Sequence, residues 1–351
     1  MTPNKTPKEL GYRMPAEWEP HEATWLTWPK DPQTWPDRVP QAEEAFARMI
    51  EALTPTERVD LLVDDAAAEE KVRKKLSEKK VTHSNLSIHH VPTVDSWIRD
   101  YGPIFLTRSS PEGKALILDF IFNAWGDKYE SLKADDPIPK HIASLLNFPV
   151  VEPGIVLEGG SIEVNGRGTL LTTEQCLLNP RRNPRLSKTE IEAVLQAYLG
   201  VDRVLWLGEG IAGDDTDGHV DDITRFVAPD TVVTAVEEDP ADENFAPLRD
   251  NLRRLQKMTD EGGRSLKIVP LPMPGRVETE AGRLPASYAN FYLANGLVLV
   301  PVFGHPNDPK ALNTLQELFP KRKVVGIEAN DLVWGLGAVH CLTQQQPRAY
   351  T

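Results

Sequence analysis

Cysteine is almost missing from this sequence: 351 residues contain two, Cys176 and Cys341. Two thiols cannot form a disulfide framework, and neither lies in a CxxC pair that could hold zinc, so a reducing compartment fits best. Long apolar runs are also lacking. No stretch approaches the ~18 consecutive apolar residues of a membrane span, and the opening MTPNKTPKELGYRMPAEWEPHEA has no signal-peptide core. The expectation is a cytoplasmic, soluble protein with no membrane partner. Basic residues are in deficit, 39 Lys and Arg against 52 Asp and Glu, leaving a formal net charge of −13. That balance repels phosphate backbones and argues against nucleic acid, while it favours the approach of a small cation. The bland alternative is that an acidic surface serves solubility alone. Serine-nucleophile motifs, phosphate loops and dinucleotide fingerprints are absent too. With no Gly/Ser linker or charge block to divide it, the chain 1–351 reads as a single domain.

What is present is a set of helical and strand signals. Ser187 to Leu199 opens on Ser-Lys-Thr-Glu, where Ser187 and Glu190 can satisfy each other's amides. Asp308-Pro309 places a capping side chain before a proline at the first helical position. Pro40 to Leu53, Asp65 to Lys80, Pro139 to Leu146 and Phe245 to Thr259 have helical periodicity. RVDLLV, LSIHHV, RVLWL, LKIVPL and KVVGI read as buried strands. A larger pattern recurs: a polar cluster, a strand, a tight turn and a second strand. It appears in WIRDY-GPIFL-TRSSPEGK-ALILDF, EGG-SIEV-NGRG-TLLTT, DGHVDD-ITRFV-APD-TVVTAV and SYA-NFYL-ANG-LVLVPV. Asn165-Gly166 and Asn295-Gly296 supply turn chemistry. The unit of hairpin, helix and strand repeats at roughly 50 to 70 residues, longer than the commonest repeat periods. Chance likeness among hairpins is the competing explanation. If the repeat is real, modules around an axis bring their polar clusters to one central site.

Cys341 follows Gly335-Leu336-Gly337-Ala338-Val339-His340, a small-residue loop that lets backbone approach a ligand, and precedes a polar tail. A lone cysteine is ordinarily a small buried hydrophobe, and Cys176, in TTEQCLLNP, reads that way. His219 lies in GDDTDGHVDD. On a strand beginning near Gly218, His219 and Asp221 share a face, pairing an imidazole with a carboxylate. A solvated acidic turn is the plain alternative. A calcium loop fails, because aligning Gly218 with the invariant glycine puts Gly213 and Thr224 at ligand positions. Asp100 in WIRDYGP and Glu158 in LEGGS sit at the polar mouths of hairpins, where each alone could be a surface ion-pair partner. Together, a cysteine, a histidine and three carboxylates suit a planar, strongly basic cation. A guanidinium stays protonated and offers donors that carboxylates accept in pairs.

With those residues in view, the sequence resembles the agmatine deiminases, of the bacterial peptidylarginine-deiminase-like family within the guanidine-modifying superfamily. The likeness runs from MPAEWEPHEATWLTWP through DSWIRDYGP, FNAWGDKY, LEGGSIE, DDTDGHVDD and YANFYLANG to VHCLTQQQP. It implies a single catalytic domain folded as a five-bladed pseudo-symmetric α/β propeller of ββαβ modules, with the site on its axis. By similarity Cys341 matches the nucleophile, His219 and Asp221 the His-x-Asp pair, Asp100 the aspartate of W-x-x-D, and Glu158 the glutamate of E-G-G. The loop Gly335 to Val339 departs from the glycine-richer run common in these enzymes, a difference that bears on substrate identity. The implied reaction converts agmatine to N-carbamoylputrescine and ammonia through an S-amidino-cysteine, feeding putrescine biosynthesis, with no metal or organic cofactor.

In that scheme Asp100 and Asp221 clamp the guanidinium, His219 serves both half-reactions, and Glu158 accepts the second imidazole proton. Nearby carboxylates raise the thiol pKa of the empty site, so the bound cation or a protonated His219 must supply the thiolate. Trp97, Trp125 and Asp215 are expected as wall or distal groups. The small cationic guanidine is the expected partner, and a homo-oligomer is compatible with this scheme. Rival expectations are a peptidylarginine deiminase, a non-catalytic guanidine or polyamine binder, and a carboxylate-rich metal hydrolase using DDTDGHVDD.

Overall fold

The computed structural model describes residues 5–79, 83–109 and 115–349. The turn of the first hairpin, over residues 110–114, and Lys80 at the expected helix end lie outside them. The architecture is mixed α/β, and among the described residues five sheets share one plan. In each, a central strand pairs antiparallel with one neighbour and parallel with the next. The sheets comprise Ile104–Leu106, Leu116–Leu118 and Val150–Val151; then Glu163–Val164, Thr169–Thr173 and Arg203–Leu207. Next come Thr224–Ala228, Thr231–Val236 and Lys267–Pro272, followed by Tyr292–Ala294, Leu297–Val302 and Lys323–Glu328. The remaining sheet joins the two ends of the chain. Gln344–Pro347 pairs antiparallel with His21–Thr27, which pairs parallel with Arg58–Val63, and Leu86–His90 follows. A small hairpin of Glu278–Thr279 and Gly282–Arg283 stands apart.

Central strands such as Leu116–Leu118 and Thr169–Thr173 are wholly buried, as parallel pairing under a helix requires. The outer strands differ from the expectation of burial. Leu86–His90, Lys267–Pro272 and Lys323–Glu328 are half-exposed, because each ends its sheet. Parallel pairs need a crossover, and the helices Val39–Leu53, Ile138–Leu146, Lys188–Leu199, Phe245–Leu255 and Asp308–Leu318 supply it. The Ser187–Glu190 capping box forms as the spacing predicts. Asp65 caps its helix by accepting the amide of Ala68 at 2.8 Å. Asp308 does not cap. Its carboxylate accepts the Tyr288 hydroxyl at 2.5 Å and loop amides of Phe303 and His305, which draw it out of cap geometry. The helix from Phe245 stops at Leu255 rather than Thr259, where Thr259 is bridged to Ser265 instead.

In the Asn165-Gly166 and Asn295-Gly296 pairs the glycine and not the asparagine takes a positive φ, 69° and 70°, and Gly168 follows at 127°. Asn165 acts through its side chain, accepting the amides of Arg167, Gly168 and Thr169. Among the described residues no helix is long and apolar enough to cross a membrane.

Candidate active site

The first strand of each hairpin is preceded, within a few residues, by a side chain that reaches a common buried site. Asp100 precedes Ile104–Leu106, Glu158 precedes Glu163–Val164, and His219 with Asp221 precedes Thr224–Ala228. Asn290 precedes Tyr292–Ala294, and Cys341 precedes Gln344–Pro347. Local hydrogen bonding fixes each approach. Asp214 accepts the amides of Thr216 (2.7 Å), Gly218 (2.8 Å) and His219 (3.2 Å), so the aspartate-rich loop is a coil wound on one carboxylate. It presents His219 into the interior. The expected strand at this point is instead a short 3₁₀ turn, Val220–Asp222, with the strand starting at Thr224. His219 and Asp221 still both reach the site, through turn geometry and not strand alternation. Cys341 is held by its backbone: its amide donates to Asn290 Oδ1 at 3.4 Å and its carbonyl accepts from Arg99 at 3.3 Å.

A cavity of about 260 Å³ leads to the thiol and is lined by Trp97, Asp100, Trp125, Asp215, Gly335, Leu336, Gly337 and Cys341, with Asp31, Asp95, Tyr129 and Trp334 among its other walls. Trp97, Trp125 and Asp215, expected as wall or distal groups, line this cavity. The small-residue loop has a steric cause, since a Cβ at Gly337 would lie 2.5 Å from Trp97 and 3.1 Å from the Cys341 Cβ. Trp97 donates its indole to Asp95 at 2.8 Å, and Trp125 donates to Asp100 Oδ2 at 2.9 Å. Asp215 is already engaged, by the Tyr129 hydroxyl at 2.7 Å and by the Lys128 ammonium at 3.3 Å.

The candidate site residues are buried: His219, Asp221 and Glu158 have no exposed surface, and Cys341 and Asp100 retain 4% each. Neither Asp100 nor Glu158 is a surface ion-pair partner. Cys341 Sγ accepts from Asn290 Nδ2 at 3.1 Å and lies 3.7 Å from Asp221 Oδ2. Burial, then the charges of Asp221, Asp222 and Asp100, push its pKa well above the ordinary thiol range. Burial, with Asp221 and Glu158 nearby, likewise raises Asp100 well above a normal carboxyl. Asp221 goes the other way: burial opposes its charge, but the His340 ring at 2.7 Å outweighs burial and lowers it. The empty site thus holds a protonated thiol among unequal carboxylates.

Two expectations need correction here. Burial pushes His219 down to about 3, so a protonated imidazole does not supply the thiolate in the empty site. Glu158 does not hold the His219 ring. Its Oε1 accepts Arg182 Nε at 2.6 Å, while among the described residues its Oε2 and both His219 nitrogens have no hydrogen-bond partner. His219 Nδ1 instead lies 3.7 Å from Asp100 Oδ1. Cys176 is also nearer the site than its sequence setting suggested. Its sulfur, Glu158 and His219 have donor atoms within 4.8 Å of one another, as do Asp221, Asp222 and Cys341. Mixed thiol, imidazole and carboxylate donors could take a borderline-soft divalent ion.

Sequence reasoning missed Arg182, Asn290, Glu17 and His340. Glu17 and His340 stood inside the quoted stretches MPAEWEP and VHCLTQQQP, but nothing in their spacing joins residues 323 positions apart.

A model of the Porphyromonas-type peptidyl-arginine deiminase family matches residues 13–347. An agmatine deiminase of Ectopseudomonas mendocina is 38% identical over 365 residues, covering 97% of each chain. The solved agmatine deiminase of Enterococcus faecalis superposes with a TM-score of 0.91 at 36% identity, covering 99% of this chain and 98% of its own. An agmatine deiminase of C. jejuni, in a cysteine-to-serine form with substrate bound, superposes at 0.85 with 29% identity and 97% coverage of each.

Proposed function

The chain belongs to the Porphyromonas-type peptidyl-arginine deiminase family, and from that premise we propose that it hydrolyses agmatine to N-carbamoylputrescine and ammonia, supplying putrescine synthesis. The observation that carries this reading is Cys341 lining a cavity of about 260 Å³ together with the buried Asp100, and 3.7 Å from the buried Asp221. We take the five sheets as blades of ββαβ modules in a pseudo-symmetric propeller, working as one catalytic domain. Support comes from the shared strand order and from the site residue that precedes each hairpin.

In this mechanism the guanidinium enters between Asp100 and Asp221, whose Oδ1 is buried and without a partner. Its positive charge offsets the carboxylates that keep Cys341 protonated, so attack is assisted by the substrate itself. The thiol proton passes to the neutral His219 as the S–C bond forms and a tetrahedral adduct results. His219 returns that proton to one amino group, the C–N bond breaks and ammonia leaves, giving the S-amidino enzyme. Water then adds to the same carbon, His219 removes its proton, and the C–S bond breaks to release the ureido product. Glu158, with its free Oε2 close to the ring, can steady the imidazolium when it forms. The distal ammonium of agmatine meets Asp31, Asp95 or Asp215 along the cavity wall.

The test is a ureido-product assay with agmatine, free arginine and a blocked arginyl peptide in parallel. Agmatine should turn over fastest. Faster turnover of the blocked peptide would establish the peptidylarginine alternative, and turnover of none would favour a binder.

A further inference from the structure

An imidazole has two ring nitrogens, and in His340 each faces a carboxylate. Nδ1 lies 2.7 Å from Asp221 Oδ2, and Nε2 lies 2.7 Å from Glu17 Oε2, with the residue 1% exposed. The ring is the middle of a buried chain of charges. Glu17 is 2.9 Å from Arg225 Nη2 and 3.7 Å from Arg99 Nη2, and Arg225 Nε donates to Glu163 at 2.8 Å. The main chain of His340 is pinned as well: its amide donates to Asn290 Oδ1 at 2.9 Å, and its carbonyl accepts from Arg99 Nε at 3.3 Å. The chain of charges ends at the thiol, because the same Asp221 Oδ2 lies 3.7 Å from Cys341 Sγ.

A carboxylate that must clamp a planar cation needs its free oxygen held in one direction. Asp221 Oδ2 meets His340 and faces Cys341 Sγ at 3.7 Å, while its Oδ1 is buried and, among the described residues, without a partner. We propose that His340 is a positioning residue for deimination: donating from Nδ1, it fixes Asp221 through Oδ2 and so sets the direction of the carboxylate beside Cys341 for the guanidinium, while Glu17 holds the ring from behind. This rests on Asp221 being a guanidinium acceptor. Asp100 makes an instructive contrast. It is equally buried but accepts only neutral donors, the Gly160 amide and the Trp125 indole, and its carboxyl is raised where that of Asp221 is lowered. His340, hydrogen-bonded to Asp221, contributes to that difference.

Two substitutions separate the two ring nitrogens. The amide nitrogen of an asparagine occupies the place of Nδ1, whereas a glutamine reaches toward Nε2. His340→Asn therefore keeps the donor to Asp221, and His340→Gln loses it. Each is to be measured for agmatine KM and kcat, alone and combined with Asp221→Asn, beside thermal melts. Loss of a charge-assisted bond predicts at least a tenfold rise in KM for His340→Gln, against about threefold or less for His340→Asn. In the Asp221→Asn background His340→Gln should raise KM no further, because a group acting through Asp221 has nothing left to orient. Equal damage from both substitutions, or the same KM penalty in both backgrounds, would overturn the proposal in favour of a purely structural role. Should His340→Gln not fold, a tenfold KM rise in His340→Asn alone contradicts it. Wild-type protein that binds agmatine without turnover would defeat the deiminase reading; the comparison then moves to agmatine Kd and still tests His340. Wild-type protein that binds no agmatine would sink both.

Discussion

Gly160 shows how closely the reacting side chains are gathered. A Cβ built on it would lie 2.6 Å from His219 Nδ1, 2.9 Å from Asp100 Oδ1 and 3.0 Å from Asp221 Oδ2. Its backbone angle is one that any residue can adopt, so the conflict is with the site and not with the fold. Gly160→Ala should therefore lower kcat/KM for agmatine by more than about 100-fold, the scale of a lost general acid-base contribution, while the melting temperature moves little. Comparable activity with an unchanged melt would show that the three groups can separate without loss. Asp95 makes a second case at this scale. Burial raises its pKa to about 7, even though Thr34, the Ser96 amide and Trp97 donate to it. A carboxyl raised in the folded state binds its proton more tightly there than when unfolded. Its contribution is thus intact below about pH 4 and is lost as pH rises toward 7, on the order of 4 kcal/mol at the limit. His219, buried neutral, acts in the opposite sense, so the readout is a difference. The melting-temperature gap between wild type and Asp95→Asn should shift against wild type from pH 4 to 7 and then level off. A gap independent of pH would mean that Asp95 is already ionised in the folded protein.

Among the elements, the segment Ala124–Asp127 is the least ordinary. Its φ values are +54° at Ala124, +55° at Trp125, +87° at Gly126 and +62° at Asp127, one turn wound left-handed. Such angles cost about 1–2 kcal/mol per non-glycine residue, and backbone strain of this kind gathers at functional sites. Here the turn delivers the Trp125 indole to Asp100 and sets Gly126 against Arg182, the arginine that holds Glu158. A methyl at Gly126 would come within 2.6 Å of Arg182 Nη1 and 2.8 Å of the Arg181 Cβ. Gly126→Ala should cost roughly 1–3 kcal/mol in stability and also reduce kcat by displacing Arg182. A lower melting point with unchanged kcat would confine the turn to a scaffold role. FNAWGDKY gave no hint of this handedness, because no local propensity favours a left-handed turn through alanine and tryptophan. What the sequence did make legible were features with a local cause: the Ser187–Glu190 box, the hairpin glycines and the spacing of the polar clusters. Asp100, Glu158, His219, Asp221 and Cys341 were each found in one site. The strand assigned at Gly218 failed because Asp214 winds that loop on its own carboxylate, and the Glu158–His219 contact failed because Arg182 competes from a distant segment. Long-range pairing of that kind has no signature in spacing.

At the scale of the whole molecule, closure and charge act together. The strand Gln344–Pro347 lies a few residues beyond Cys341 and pairs with His21–Thr27, so Cys341 is anchored by the sheet that joins the chain's two ends. Trp25 reinforces the seam by donating to Gln346 Oε1 at 3.0 Å. Around this site the chain carries a net charge of −13, and Asp31 and Asp215 lie on the cavity walls. Agmatine bears a charge at each end, so the field of the molecule and that of the cavity both draw it inward. Salt weakens the long-range part first, since the screening length falls from about 10 Å at 0.1 M to about 3 Å at 1 M. Buried groups around Cys341 are screened far less, and once substrate is bound they govern the chemical steps. Raising sodium chloride from about 0.05 to 0.5 M should therefore lower kcat/KM for agmatine several-fold, with kcat nearly constant. A guanidine whose distal end is uncharged should show a shallower dependence. Equal slopes for the two substrates would place the whole effect at the guanidinium clamp, and a fall in kcat matching that in kcat/KM would show that salt perturbs the reacting groups themselves.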